Sequence, residues 1–209
     1  MKNTLIAAVA VAAMAGVASG EIVNGDFSDG SNGWTQYGGS EGPYPVGSTF
    51  GFDNDAAAVV AYGTFNGAPN YSGFTQDISG SYAEGDIIDF GGQMYIEAGK
   101  ELFGGNNAAI QITFWYGNDF GFAVPAGTLD STSASESVYT FDLQFTLDAG
   151  AASATRISLD FSYVQADIPP AGVESGAAWA TNMYANIVPA PGAMALLGVA
   201  GLAGRRRRG

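Results

Sequence analysis

Three stretches of this chain alternate apolar and polar residues with a period of two, and no stretch of residues 21–187 keeps a helical period over a useful length. The three are Ala109-Ile110-Gln111-Ile112-Thr113-Phe114, Val138 to Leu147 and Arg156 to Gln165. Successive strand side chains point to opposite faces, so each stretch has one face for a core and one for solvent. Ile110, Ile112, Phe114 and Tyr116 form the first core face, and Tyr139, Phe141, Leu143, Phe145 and Leu147 the second. Ile157, Leu159, Phe161 and Tyr163 form the third. Further strand patterns cover residues 57–62, 71–78, 87–97 and 179–188, with short strands near Ile22 and Trp34. Clusters of Gly, Asn, Asp and Ser separate them, as turns require. Eight or nine short antiparallel strands joined by Gly-rich turns predict an all-β sandwich or barrel.

The outward faces carry the more informative chemistry. They hold Gln111, Trp115, Asp142, Gln144, Arg156 and Asp160, with Gln93 and Tyr95 in one further strand and Asn182 and Tyr184 in the last. Flat aromatic rings stack on the C–H faces of sugars, while amides, carboxylates and guanidinium groups bond hydroxyls in pairs. Tyr95, Gln111, Trp115, Gln144, Arg156 and Tyr184 are therefore the candidate glycan-binding residues. The same residues also fit an ordinary solvated face with Trp115 covered by a loop. The alternation does not say which strands share a sheet. The segments Glu41-Gly42-Pro43-Tyr44-Pro45 and Phe50-Gly51-Phe52 place aromatics in irregular chain, as a binding rim or as a plug for the open edge of the sandwich.

Composition removes several function classes. The chain has neither Cys nor His. Disulfides, thiolate chemistry, zinc sites of the usual kind and Ser-His-Asp triads are thus excluded. All 20 acidic residues lie between Glu21 and Glu174, where Lys100 and Arg156 are the sole cations, a net charge of −18 for that span. Such a domain repels phosphate backbones, so no nucleic-acid partner is expected. Paired carboxylates can hydrolyse glycosides, but with 20 acids some pair always exists, and nothing marks one as a desolvated acid. A non-enzymatic protein is expected. Asp53-Asn54-Asp55, and the pair Asp86 and Asp89, offer hard oxygen ligands of the kind calcium takes. The first lacks the Gly at the sixth and the Glu at the twelfth position of a calcium loop, which favours a local turn.

The two ends differ from the middle. Residues 1–20 place Lys2 before an apolar run from Leu5 to Val17 and then Ala18-Ser19-Gly20. This is the layout of a secretory signal peptide, and the run of about 13 residues is short of the roughly 20 that span a bilayer. The tail reads Val188-Pro189-Ala190-Pro191, then a short apolar segment, then Arg205, Arg206, Arg207 and Arg208. The Arg cluster would stay on the cytoplasmic side. This three-part order resembles the PEP-CTERM sorting signal, with Ala190 where the family name has Glu. The resemblance covers the last 22 residues or so. It implies an exosortase-type sorting protease as a partner, besides signal peptidase and the export machinery. The implied location is the cell envelope, membrane-anchored before processing, then the cell surface or extracellular matrix. The domains are thus a signal peptide at 1–20, an acidic β-domain at 21–187 and a sorting tail at 188–209, with helices expected in the signal and in the tail.

Val23-Asn24-Gly25-Asp26-Phe27, followed by Gly30, Gly33 and Trp34, resembles the opening of jelly-roll carbohydrate-binding modules of the family 4 and 9 type. Gln76-Asp77-Ile78 with Gly85-Asp86, and Gly176-Ala177-Ala178-Trp179 to Ile187, resemble later strands of those modules. The resemblance implies a jelly-roll β-sandwich and an extracellular polysaccharide as ligand. It also implies a structural calcium, for which Asp26 and Asn182 are the positions carried over, although the modules usually have Asp where this chain has Asn182. The alternative to a glycan-binding module is a purely structural surface or matrix protein.

Overall fold

A computed structural model describes residues 21–45, 52, 57–63 and 68–190. The chain folds as a jelly-roll β-sandwich of two antiparallel five-stranded sheets. The strands in chain order are β1 (Thr35–Tyr37), β2 (Ser40–Pro45), β3 (Ala57–Tyr62), β4 (Asn70–Asp77) and β5 (Ile87–Tyr95). There follow β6 (Asn107–Tyr116), β7 (Asp119–Leu129), β8 (Val138–Thr146), β9 (Arg156–Gln165) and β10 (Ala177–Val188). A single helical turn, α1 (Ala149–Ala152), joins β8 to β9, and the Asp148 side chain caps it by accepting from the Ala151 N–H at 2.7 Å. The front sheet has the order β1-β4-β9-β6-β7 and the back sheet β2-β3-β10-β5-β8. Among the described residues no helix is long and apolar enough to cross a membrane. The signal segment, the rest of the tail from Pro191 onward and the Asp53-Asn54-Asp55 turn lie outside the described residues.

The alternation read from the sequence sets the core. Ile110, Ile112, Phe114, Ile157, Leu159, Phe161 and Tyr163 are fully buried between the sheets, facing Ile88, Phe90, Met94 and Ala185 of the back sheet. Tyr139, Phe141, Leu143 and Phe145 are only half-buried, because β8 is an edge strand that covers one border of the core. Two strands are additional to the sequence expectation. β7 carries Pro125 and β2 carries Pro43 and Pro45, and both lie at sheet edges, where a missing N–H breaks no ladder. Glu41 to Pro45, expected as irregular chain, is thus a strand. The expected strand near Ile22 is a lone bridge, Glu21 to Asn186.

The Asn24 to Trp34 segment closes one end of the sandwich. Asn24 organises it: its side-chain oxygen accepts from the Asp29 N–H at 2.9 Å, and its amide donates to the carbonyls of Gly30 and Asn32. The Asn24 carbonyl accepts from Trp34 Nε1 at 3.0 Å. Phe27 inserts beneath, 1% exposed, with its ring 5.1 Å from Trp34 and 6.1 Å from Phe74. Gly25 meets β10 where that strand bulges, and the Met183 N–H donates to the Gly25 carbonyl at 2.9 Å. A Cβ on Gly25 would stand 1.6 Å from the Met183 carbonyl oxygen, so only glycine allows this approach. The Asn-Gly-Asp-Phe motif is therefore a latch between the sheets.

Candidate functional site

The outward face of the front sheet forms a groove of about 560 Å³ that crosses all five strands. Cross-strand register builds it in rows. Thr35, Thr75, Asp160 and Gln111 face each other across β1, β4, β9 and β6. The next row is Asp77, Ser158 and Thr113, and the one beyond it Arg156, Trp115 and Phe120. Partners in register share a face, which is why period-two strands deliver polar groups and rings to one surface.

Three features define the groove. Its walls are aromatic: Tyr71 is 60% and Phe120 61% exposed, Trp115 is half-buried, and the Trp115 and Phe120 rings meet edge-on at 6.0 Å. Its floor is polar and buried. Asp160 is 6% exposed, and the hydroxyls of Thr113, Ser158 and Thr75 all bond its carboxyl. Burial pushes this carboxyl above the usual carboxylate range, opposed in part by the hydroxyl bonds and the Arg156 charge. Tyr37 lies beside it, and burial together with the Asp160 charge raises its phenol. The third feature is Arg156, whose guanidinium carbon sits 4.4 Å from the centre of the Trp115 ring, a cation–π contact. Its Nη1 lies 3.6 Å from the Asp77 carboxylate. A second hollow of about 430 Å³, lined by Glu21, Val23, Gln76 and Asp77 among others, shares Thr75 and Arg156 with the groove.

Of the six candidate residues, the structure brings Gln111, Trp115 and Arg156 together in this groove. Tyr95, Gln144 and Tyr184 belong to β5, β8 and β10 of the back sheet. The sheet membership that the alternation left open separates these three from the groove. Alternation places them outward, but their strands hydrogen-bond to each other and not to β6 or β9. Tyr95 is also covered, 6% exposed beneath Phe52, with the rings 6.0 Å apart. Phe52 thus covers the outward face of the back sheet at Tyr95 and does not plug an edge of the sandwich. Tyr184 reaches across Gly91 to donate to Asp142 at 2.8 Å, and burial followed by that bond raises its phenol. Gln144 is exposed, in register with Asp89.

Tyr37, Tyr71, Thr75, Thr113 and Phe120 line the groove without having been singled out, and Asp160, read as outward-facing but not as a candidate binding residue, lies on its floor. Thr113 and Asp160 stand two and four residues from Trp115 and Arg156, so the alternation already put them on that face. Phe120 lies in β7, the strand that the sequence pattern does not show.

The calcium positions lie near one another through the Gly25–Met183 bond. Asp26 accepts from the Ser28 N–H and hydroxyl, and the Ser28 backbone bond is the main reason its carboxyl is lowered. Asn182 donates to Gln93 at 2.9 Å. Among the described residues no three acidic side chains cluster in a way that could hold a metal ion. The Asp86 carboxylate accepts from the N–H groups of Ala83 and Ala190, and Pro189 and Ala190 follow directly on Val188, the last residue of β10.

No family model matches the chain, and no curated protein matches it in sequence. Solved structures resemble it in backbone arrangement. A xylan-binding module, CBM15, is 15% identical with a TM-score of 0.46, over 84% of this chain and 99% of that one. A CBM22 tandem from Paenibacillus barcinonensis Xyn10C is 12% identical with a TM-score of 0.49, over 79% of this chain and 44% of that one. The enzymatically active domain of bacteriophage CBA120 tailspike protein 4 is 16% identical with a TM-score of 0.47, over 81% of this chain. This chain spans only 21% of the tailspike chain's length. The functional reading rests on the groove's own side chains.

Proposed function

We propose that this chain is an exported, non-enzymatic protein of the cell envelope or extracellular matrix whose front-sheet groove binds a polysaccharide. The observation that carries the binding reading is the pairing of exposed rings with a desolvated polar floor. Tyr71, Trp115 and Phe120 offer apolar faces, while Gln111, Thr113, Arg156 and Asp160 offer donors and acceptors between them. A chain of pyranoses presents that alternation of C–H face and hydroxyl edge. Five strands spaced about 4.8 Å apart give the groove a span of roughly 19 Å, the scale of an oligosaccharide. The net charge of −18 over residues 21–187 disfavours polyanionic glycans, so a neutral chain fits best.

The sequence of the ends supports the rest of the reading. Residues 1–20 serve as a signal peptide, residues 21–187 as the binding domain, and residues 188–209 as the tail that an exosortase-type protease processes. A structural calcium near Asp26 and Asn182 belongs to the same proposal.

The test is a glycan-array screen of the protein recovered after export, run with calcium and with a chelator. Saturable binding that disappears in Trp115→Ala is the expected result. Binding lost only with the chelator identifies the calcium. Binding to no glycan under either condition refutes the polysaccharide reading and leaves a structural matrix protein.

A further inference from the structure

A chain of buried hydrogen bonds runs from the Trp115 ring into the floor of the groove. Trp115 Nε1 donates to Ser158 Oγ at 3.1 Å. Ser158 Oγ in turn lies 3.2 Å from both carboxylate oxygens of Asp160. The Thr113 hydroxyl donates to the same carboxylate, and Thr75 adds a third hydroxyl. Ser158 is fully buried, Thr113 is 3% exposed and Asp160 6%. Water does not substitute freely for any of these partners.

We propose that Asp160 is a positioning residue that sets the plane of the Trp115 ring through Ser158. The inference deepens the reading of the groove as a glycan site, and rests on it for the meaning of that ring. The physical reason lies in the two ends of the chain. An indole N–H can only donate, and an ionised carboxylate can only accept. The hydroxyl between them has one proton, which the carboxylate claims, so its lone pairs are turned toward the indole. A neutral residue in place of Asp160 would leave the direction of the Ser158 hydroxyl open. With the N–H edge held from below, Arg156 packs on one ring face at 4.4 Å and the Phe120 ring stands nearly perpendicular at 85°. The ring is thus oriented before any ligand arrives, and less rotational freedom is lost on stacking.

The charged and titratable groups around Asp160 are few. Tyr37 approaches from β1, Arg156 stands four residues away on β9, and Asp77 on β4 lies behind Arg156. β6 contributes only Thr113 and Gln111, which do not titrate. Because Asp77 also reaches the ring, through Arg156, the variant Asp160→Asn is what assigns a pH-dependent Trp115 N–H signal to the Asp160 carboxyl.

The experiment uses the full-length chain labelled with 15N-tryptophan and no glycan. Trp34, Trp115 and Trp179 give three indole N–H signals, and the one that disappears in Trp115→Phe belongs to Trp115. In the unaltered chain the Trp115 signal is expected to move with pH along a carboxyl titration. The Trp34 signal, whose N–H donates to the Asn24 carbonyl, stays still. Asp160→Asn abolishes the movement. Ser158→Ala speeds exchange of the Trp115 N–H with water by about tenfold, the loss of one hydrogen bond. Unshifted Trp34 and Trp179 signals show that each variant is folded. A Trp115 signal that ignores pH and keeps its exchange rate in Ser158→Ala overturns the relay. Because no glycan enters, this outcome is separate from failure of the array screen.

Discussion

Phe27 tests whether the Asn24 to Trp34 latch belongs to the cooperative core. Its ring is 1% exposed and touches two other buried rings. Truncating a buried aromatic to alanine costs about 3–5 kcal/mol, a sum of lost transfer energy and the cavity left behind. The backbone complicates the comparison usefully. Phe27 has a φ of 55°, in the left-handed region, where a residue with a Cβ is strained by about 1–2 kcal/mol. Alanine loses the ring and keeps the strain. Glycine loses the ring and sheds the strain, at the expense of greater freedom in the unfolded chain. Phe27→Gly is therefore expected to be about 1 kcal/mol more stable than Phe27→Ala, the reverse of their usual order. In a domain of this size each kcal/mol moves Tm by about 2–4 °C, so Phe27→Ala should melt roughly 6–20 °C lower and the glycine variant a few degrees above it. Thermal and urea melts of the three proteins at one pH decide it. A loss below about 3 °C in Phe27→Ala would show that the latch opens before the core melts. A glycine variant less stable than the alanine one would refute the strain argument.

Two further outcomes follow from the groove and its opposite face. Asp160 is held above its ordinary value by burial, so the folded state binds the proton more tightly than the unfolded chain. Its stability contribution is complete below the unfolded-state value and is lost as pH rises through the folded one. The difference in Tm between Asp160→Asn and the unaltered protein should thus increase in favour of the variant as pH is raised from about 4, and a difference that stays flat refutes it. Tyr184→Phe and Gln144→Ala lie on the back sheet and are expected to leave glycan affinity within twofold, about 0.4 kcal/mol, by calorimetry on any glycan the array identifies. A tenfold loss in either would move the binding surface to the other sheet.

The central strands of the front sheet were legible because each buries one complete face. From Ala108 to Phe114 in β6 and from Ile157 to Tyr163 in β9 every second residue is apolar and fully buried, so the period of two is unbroken there. β7 lacks that signature for a reason seen in its packing. A Cβ on Gly127 would stand 1.8 Å from Phe141, so the β8 ring fills the space that a β7 side chain would otherwise occupy. Apolar patterning cannot register a core position held by glycine. The site was half legible for a different reason. Alternation tells outward from inward, but sheet membership is a property of pairing between distant segments. Tyr95 and Trp115 are both outward, and only the β5–β10 and β6–β9 ladders separate them. Asp160 sat on the right face in the sequence, yet its importance comes from desolvation, and burial of a polar residue depends on neighbours from three other strands.

β10 is the middle strand of the back sheet, bonded to β3 on one side and β5 on the other, and it runs into the C-terminal segment. Glu21 bridges Asn186 on this same strand, so both ends of the described chain leave from one pole of the sandwich. A tether at the C-terminal segment would pull β10 along its own axis. The ladders to β3 and β5 would then carry the load in shear, many hydrogen bonds at once on both sides, where an edge strand has one ladder to share it. With a glycan held in the groove as the other end of the load path, the force would pass from β10 through its two ladders and the core packing to the front sheet.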